Sequence, residues 1–179
     1  MPEPPASAGG AGAATRAGRA GRADPTAVTF RRATRRDVEA VVGLLADDDV
    51  AGRRPAAPLD RYLTAFDAIA ADPRQLLLVG DDGGEVVAVA QLSFLPHLTH
   101  GGGERCHVEG VRVHRDRRGD GLGRALLDEI RRRARARGCA MVQLTTDRRR
   151  PDARRFYEAN GFVASHDGMK LVLVDDLPV

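Results

Sequence analysis

The stretch from Cys106 to Gly138 limits the fold of this chain more than any other part of the sequence. Its first third, CHVEGVRVH, places Val108, Val111 and Val113 at a spacing typical of a strand. The middle third, RDRRGDGLG, has three glycines within five residues, too many for the interior of a strand or a helix. From Leu122 onward, apolar residues repeat at helical spacing before a glycine that can end a helix: Leu122, Leu126, Ile130, Ala134 and Gly138. The predicted order is strand, glycine turn, helix.

This order predicts a binding site for a phosphate group. The first N–H groups of a helix have no partner within the helix, and the helix dipole places positive charge there. Glycines allow a phosphate to approach those N–H groups closely, and Arg118 adds a charged guanidinium at the mouth of the turn. The stretch is therefore suited to a pyrophosphate.

The spacing of the glycines shows which of the known phosphate-binding motifs this segment can match. Gly119, Gly121 and Gly123 form G-x-G-x-G, whereas a dinucleotide fingerprint needs G-x-G-x-x-G and a P-loop needs a Lys where Arg124 stands. The segment instead fits Arg/Gln-x-x-Gly-x-Gly/Ala, and it resembles the acyl-CoA pyrophosphate motif of the Gcn5-related N-acetyltransferase (GNAT) superfamily. That resemblance implies cofactor contacts from one continuous run: Arg118, Gly119, Asp120, Gly121, Leu122, Gly123 and Arg124.

A second segment, residues 152–162, is similar to the A-x-x-F-Y-x-x-x-G-F pattern of the same superfamily. The resemblance implies acetyl-CoA as cosubstrate, bound where the two central strands of a sheet splay apart. Its pantetheine would pair like an added strand with the backbone of Val111, Arg112 and Val113. An amine would enter from the other side and attack the thioester directly. Arg150 stands where the family often has an Asn that contacts the cofactor, so Arg150 faces either the cofactor or water.

Two side chains are the candidate catalytic groups. The resemblance implies that Tyr157 is the general acid for the departing CoA thiolate, and its alternative role is a packed aromatic with a satisfied hydroxyl. Glu109 is the candidate base, because an alkylammonium must lose a proton before it attacks. Strict alternation would put Glu109 on the face of Val111, but a bulge at Gly110 could redirect it. Glu109 could instead only bind the amine or pair with an Arg, and His107 is the alternative base.

The remaining elements predict an α/β fold of the GNAT type, a central mixed sheet flanked by helices in the order βααβββαβαββ. The strand–helix–strand unit around the glycines implies a parallel pair, and the final two strands are predicted at 162–163 and 169–174. Residues 1–26 have almost no bulky apolar residue, so we expect a disordered Ala/Gly/Arg-rich tail. Residues 27–179 would form a single N-acetyltransferase domain.

Composition restricts the setting and the partners. Two cysteines form no disulfide framework, and no apolar run approaches a membrane span, so we expect a cytoplasmic protein without membrane contact. His97, His100, Cys106 and His107 are irregularly spaced, and we expect no metal. The expected partner is a small-molecule or peptide amine, and the sequence is compatible with a homodimer. Asp47–Asp49 is either a solvated loop or a docking surface for a cationic amine.

Two other function classes compete with an N-acetyltransferase. One is a catalytically inactive acyl-CoA-binding regulatory protein, which the presence of Tyr157 and Glu109 argues against. The other is a nucleic-acid-binding protein that uses the arginines at 131–137 and 148–150. Asp128 and Glu129 precede the first of these runs by one helical turn, a pattern that favours a solvated, paired face, so we expect no nucleic acid.

Overall fold

The computed structural model describes residues 27–47 and 57–173. In chain order its strands and helices are β1 (Thr29–Arg32), α1 (Val38–Ala46), α2 (Leu59–Ala71), β2 (Gln75–Asp82), β3 (Glu85–Pro96), the single turn α3 (Thr99–Gly102), β4 (Glu104–Val113), α4 (Leu122–Ala136), β5 (Met141–Leu144) and α5 (Pro151–Ala159). The expected tail, residues 1–26, lies outside the described residues, as do Asp48 and Asp49. No helix of the described ranges is long and apolar enough to cross a bilayer.

The described strands form one five-stranded sheet in the order β1-β2-β3-β4-β5. β1 to β4 pair antiparallel, and β5 pairs parallel to β4. A parallel neighbour requires a crossover connection, which α4 supplies. The predicted mixed sheet and the predicted strand–turn–helix unit are both confirmed.

Two apolar layers hold the helices on opposite faces of the sheet. On one face, Leu122, Leu126 and Ile130 of α4 are fully buried against β3 and β4. On the other face, α1 and α2 pack on residues of β2 and β3, including Val79 and Val89. Because β2 and β3 are covered on both faces, they need the near-continuous apolar runs that the sequence contains.

A buried ion-pair network fixes β1 against the start of α1. Arg31 donates to Asp37 at 2.7 Å and to Asp81 at 2.7 Å. Asp37 also accepts from the backbone N–H of Thr34 at 2.6 Å, the residue just before the short helical turn Arg35–Asp37. Asp37 is 8% exposed, and the Arg31 guanidinium holds the pKa of its carboxyl well below the usual range.

The two C-terminal strands predicted at 162–163 and 169–174 are not formed within the described residues, which end at 173. Val163, Met169, Leu171 and Leu173 alternate as a strand would, yet each is more than 80% exposed. Alternation is only half of what a strand needs, since its backbone must also pair with a neighbour. The mixed α/β class is confirmed, and the last two elements of the predicted order were wrong over these residues.

The arginine runs are extensively paired. Glu129 accepts from both Arg132 and Arg133, and Asp128 pairs with Arg131, as expected of a solvated helix face. Arg148 and Arg149 pair with Asp167 and Asp147. These contacts give the arginines a structural explanation that needs no nucleic acid.

Candidate active site

A bulge at Gly110 separates the candidate base Glu109 from Val111, which the resemblance assigns to pantetheine binding. Gly110 has φ +59°, and the pairing register between β3 and β4 shifts between Val89 and Gln91. Val111 packs against the core on the α4 side, whereas Glu109 projects from the opposite face and is 62% exposed. The predicted bulge is confirmed, and it directs the carboxylate of Glu109 away from the face that Val111 occupies.

β4 and β5 separate immediately before this bulge. Their parallel pairing runs from Arg105–Met141 to Val108–Leu144. In the described structure, residues 109–113 of β4 have no strand on the β5 side, although β3 still pairs with their other edge. Two carbonyls on this edge accept from arginine side chains, Val111 from Arg112 at 2.8 Å and Val113 from Arg118 at 3.1 Å. An edge that no strand covers can pair with an extended ligand. This is the splayed cleft that the resemblance implied.

The glycine turn joins β4 to α4 through left-handed backbone. Gly119 has φ +84° and Gly121 has φ +87°, conformations that other residues adopt only with strain. The first intrahelical bond is donated by Ala125 to Gly121, so the N–H groups of residues 122–124 have no acceptor within the helix. The Leu122 side chain is fully buried, and Arg124 is exposed beside Asp128 at 3.9 Å. Leu122 can therefore serve a ligand only through its backbone.

Gly123 has a packing role that the motif alone did not reveal. A Cβ atom at this position would lie 3.3 Å from the ring of Phe156, a contact that few real Cβ atoms make. The glycine thus allows α4 to approach α5 next to Tyr157. Sequence reasoning assigned Gly123 to the phosphate site alone, because the contact joins residues 33 positions apart in the chain.

Asp47 already contacts the arginines of the glycine turn. It forms ion pairs with Arg115 and, at 3.5 Å, with Arg118, which also donates to the carbonyl of Val113 at 3.1 Å. The hydrogen bond from Arg115 lowers the pKa of the Asp47 carboxyl, which is therefore charged at neutral pH. Of the two functions weighed for the acidic run, docking of an amine does not fit Asp47, because this carboxylate faces the predicted phosphate site.

Tyr157 lies in α5, and its ring is held by two aromatic neighbours. The ring centroids of Phe156 and Phe162 lie 5.3 and 5.6 Å from that of Tyr157. Burial raises the pKa of the phenol, and the nearby charges of Arg112 and Arg150 act in the opposite direction. The phenol therefore holds its proton at neutral pH and has two cationic side chains nearby.

The two predicted catalytic residues line the same cleft, which has a volume of about 2430 Å³. Among the residues that line it are Glu109, Val111, Arg112, Arg150 and Tyr157. Val113 and the glycine turn do not line the cleft, but β4 leads directly from it to them. Arg150, which the motif left unexplained, thus lies on the same cleft as Tyr157.

The histidines and cysteines near the cleft differ in position. His107 Nε2 lies 3.9 Å from a carboxylate oxygen of Glu109, so both candidate bases are adjacent. His97 and His100 stack edge to face at 5.6 Å between centroids, and His100 lines the cleft. Cys106 is fully buried in the core, and this burial raises the pKa of its thiol to about 12, as expected of a packing residue.

Sheet, cleft and turn together define an α/β protein whose open strand edge leads to a helix terminus suited to phosphate. The family model described as Acetyltransferase (GNAT) family matches residues 39–162. This match spans most of the chain, including β4, the glycine turn and the Phe-Tyr motif. The chain belongs to the GNAT acetyltransferase family, as the resemblance predicted.

Individual proteins similar to this chain include one named as a transcriptional regulator and two named as N-acetyltransferases. A transcriptional regulator from Bacillus halodurans C-125, known as a crystal structure, is 44% identical with a TM-score of 0.78, and the alignment covers 82% of this chain and 99% of that one. Aminoalkylphosphonate N-acetyltransferase of Salmonella typhimurium is 29% identical over 76% of this chain and 85% of its own length. Glucosamine 6-phosphate N-acetyltransferase of Trypanosoma brucei brucei is 37% identical over 50% of this chain, and the match spans 59% of that protein.

Proposed function

We propose that this protein transfers an acetyl group from acetyl-CoA to a primary amine by direct attack of the amine on the thioester. The observation that carries the proposal is the cleft itself. Tyr157 and Glu109 both line it, and the unpaired edge of β4 runs through it toward the glycine turn. A site that combines an acid, a base and an open strand edge is suited to a direct transfer between two bound substrates.

Two parts of the backbone would hold the cofactor, the edge of β4 that no strand covers and the first turn of α4. Pantetheine would lie along the β4 edge at Val111, Arg112 and Val113, where its amides can pair like a strand. The pyrophosphate would sit on the free N–H groups at residues 122–124, with Arg118 at the mouth. This placement fits the residues present, since the N–H groups of residues 122–124 have no acceptor within the helix and left-handed glycines lie close to them.

The two proton transfers, from the ammonium and to the leaving sulfur, would take place on opposite sides of the thioester. Glu109, or the adjacent His107, takes a proton from the alkylammonium, and the neutral amine forms the new C–N bond as the C–S bond breaks. Tyr157 gives its proton to the sulfur that leaves. Burial raises the pKa of the phenol but also disfavours the thiolate, so the transfer stays close to balanced.

The names of the relatives indicate which class of acceptor amine to test first. Aminoalkylphosphonate and glucosamine 6-phosphate are both amines that also carry a phosphorus oxyacid. Phosphorylated and phosphonylated amines are therefore the first acceptors to test, followed by neutral sugars, polyamines and peptide amines.

The test is a panel of amines with acetyl-CoA, in which the release of free CoA is measured. Turnover of at least one primary amine supports the proposal. Tight binding of acetyl-CoA without turnover of any amine in the panel would favour the inactive regulatory protein instead.

The role of Glu109 is tested with Glu109→Gln on a working amine. The rate should fall most at low pH, where the amine is protonated, and recover partly as the pH rises and solvent deprotonates the amine. Glu39→Gln is the matched control, because Glu39 is an exposed carboxylate on α1. An equal loss at every pH would contradict the assignment of Glu109 as base.

A further inference from the structure

A row of polar side chains crosses the sheet face that lies opposite α4. Cys106 and Val108 point into the α4-side core, so Arg105, His107 and Glu109 share the other face of β4. In β5, Val142 and Leu144 pack against the same core, which places Gln143 beside that row. Arg105, Glu109 and Gln143 of this row line the cleft, on the side from which an acceptor would enter.

Arg105 extends along the strand toward the reaction centre. Its Nη1 donates to Gln143 Oε1 at 2.6 Å, and Gln143 is the register partner of His107 rather than of Arg105. The guanidinium therefore lies near the level of His107, two residues closer to Glu109 than the Arg105 backbone. Two strand residues correspond to about 6.7 Å along the sheet.

Arg105 has hydrogen-bonding capacity that its neighbours do not use. A guanidinium has five N–H donors, and the described residues supply one side-chain acceptor, Gln143. Its Nε is buried and has no acceptor among the described residues. Glu104, the adjacent carboxylate in β4, is engaged with Arg137 at 2.6 Å and does not neutralise Arg105.

We propose that Arg105 binds a phosphoryl group, phosphate or phosphonate, on the acceptor amine and thereby selects the substrate. This inference rests on the proposed function. Glu109 attracts the ammonium end of such a molecule, and Arg105 attracts its anionic end about 6.7 Å away. The pair thus orients a molecule whose amine and phosphorus are roughly five bonds apart. Guanidinium matches the oxygens of a phosphoryl group in a two-point contact, and Gln143 holds the fork in place.

The second arginine on this face has a different position. Arg112 follows the bulge, and its charge acts on the pKa of Tyr157, so it lies on the cofactor side of Glu109. Arg105 precedes Glu109 and lies on the acceptor side. The selection of a remote acidic group on the acceptor is therefore assigned to Arg105.

The experiment compares two amines with the same three-carbon chain, 3-aminopropyl phosphate and 3-aminopropanol. The value of kcat/KM is measured for each by CoA release. The wild type should prefer the phosphorylated amine. Arg105→Gln should reduce the ratio of the two kcat/KM values by roughly 10- to 100-fold, mainly through KM, because charged hydrogen bonds are lost. Arg105→Lys should give an intermediate ratio, since it keeps the charge but loses the fork.

Arg132→Gln is the control, because it removes the same charge from the exposed face of α4, where Arg132 pairs with Glu129. For Arg132→Gln, the ratio of the two kcat/KM values should equal that of the wild type. A wild type without preference, or a folded Arg105→Gln protein with an unchanged ratio, would overturn the inference while amine turnover still supports the proposed function. If the wild type acetylates no amine at all, the proposed function falls and this inference with it. If Arg105→Gln does not fold, Arg105→Lys decides: an unchanged ratio overturns the inference.

Discussion

Replacing Tyr157 with Phe isolates the proposed acid from the packing of its ring. The substitution removes one hydroxyl and keeps the contacts with Phe156 and Phe162, whose centroids lie 5.3 and 5.6 Å away. The free energy of unfolding should therefore change by less than about 1 kcal/mol. The affinity for acetyl-CoA should also change little, because the ring remains where it is.

The rate should respond far more than the stability. Loss of a general acid with partial rescue by water lowers turnover by roughly one to three decades, which corresponds to about 1.4–4 kcal/mol in the barrier. Burial raises the pKa of Tyr157, so the phenol keeps its proton as the pH rises. The wild-type rate should consequently show no loss from deprotonation of this group at neutral or mildly alkaline pH.

The assay is a rate–pH profile for wild type and Tyr157→Phe with one working amine, together with calorimetric binding of acetyl-CoA. Tyr62→Phe is the comparison variant, because it deletes the same atom from the other tyrosine, which also lines the cleft and whose hydroxyl accepts from the N–H of Ala57 at 3.4 Å. Wild-type turnover by Tyr157→Phe across the whole range would refute the assignment. A large loss of acetyl-CoA affinity would show that the hydroxyl binds rather than reacts.

Three further predictions concern the turn and the fold. Gly121→Leu should weaken acetyl-CoA binding measured by calorimetry, because a side chain would stand between the phosphate and the helix N–H groups. Asp47→Asn should strengthen that binding, because the carboxylate that pairs with Arg118 competes with the pyrophosphate. Asp37→Asn should cost about 1–3 kcal/mol in denaturant unfolding at pH 7, since its hydrogen bonds to Arg31 are charged. Because Arg31 lowers the pKa of Asp37, the stabilisation from this ion pair is present above about pH 4 and is lost as the pH falls. The free energy of unfolding of Asp37→Asn should therefore depend less on pH in the acidic range than that of the wild type.

Each of these has a control within the chain. Gly138→Leu imposes the same left-handed strain, φ +81°, at the far end of α4 and should leave acetyl-CoA binding intact. Weaker or equal binding by Asp47→Asn would mean that its ion pairs position the arginines instead of competing for them. Asp167→Asn breaks an ion pair whose partners are each 82% exposed and should cost no more than about 1 kcal/mol. A comparable loss in Asp37→Asn would contradict the buried network.

Local features determined much of this protein from the sequence alone. The glycine turn and the start of α4 are encoded within a few residues, because positive φ and a helix terminus depend on neighbouring chemistry. Even the bulge at Gly110 was predictable, since glycine tolerates the left-handed backbone that a bulge needs.

Contacts between distant segments were decided only by the tertiary structure. Asp47 reaches Arg115, 68 positions away, and Arg105 turns toward Gln143, 38 positions away, so no local pattern marks either pair. The alternating residues from Met169 to Leu173 are a second example of what a local pattern leaves undecided. Their pattern predicts a strand but contains no information on a pairing partner. Backbone preference acts over a few residues, whereas pairing and charge contacts depend on which segments the folded core brings together.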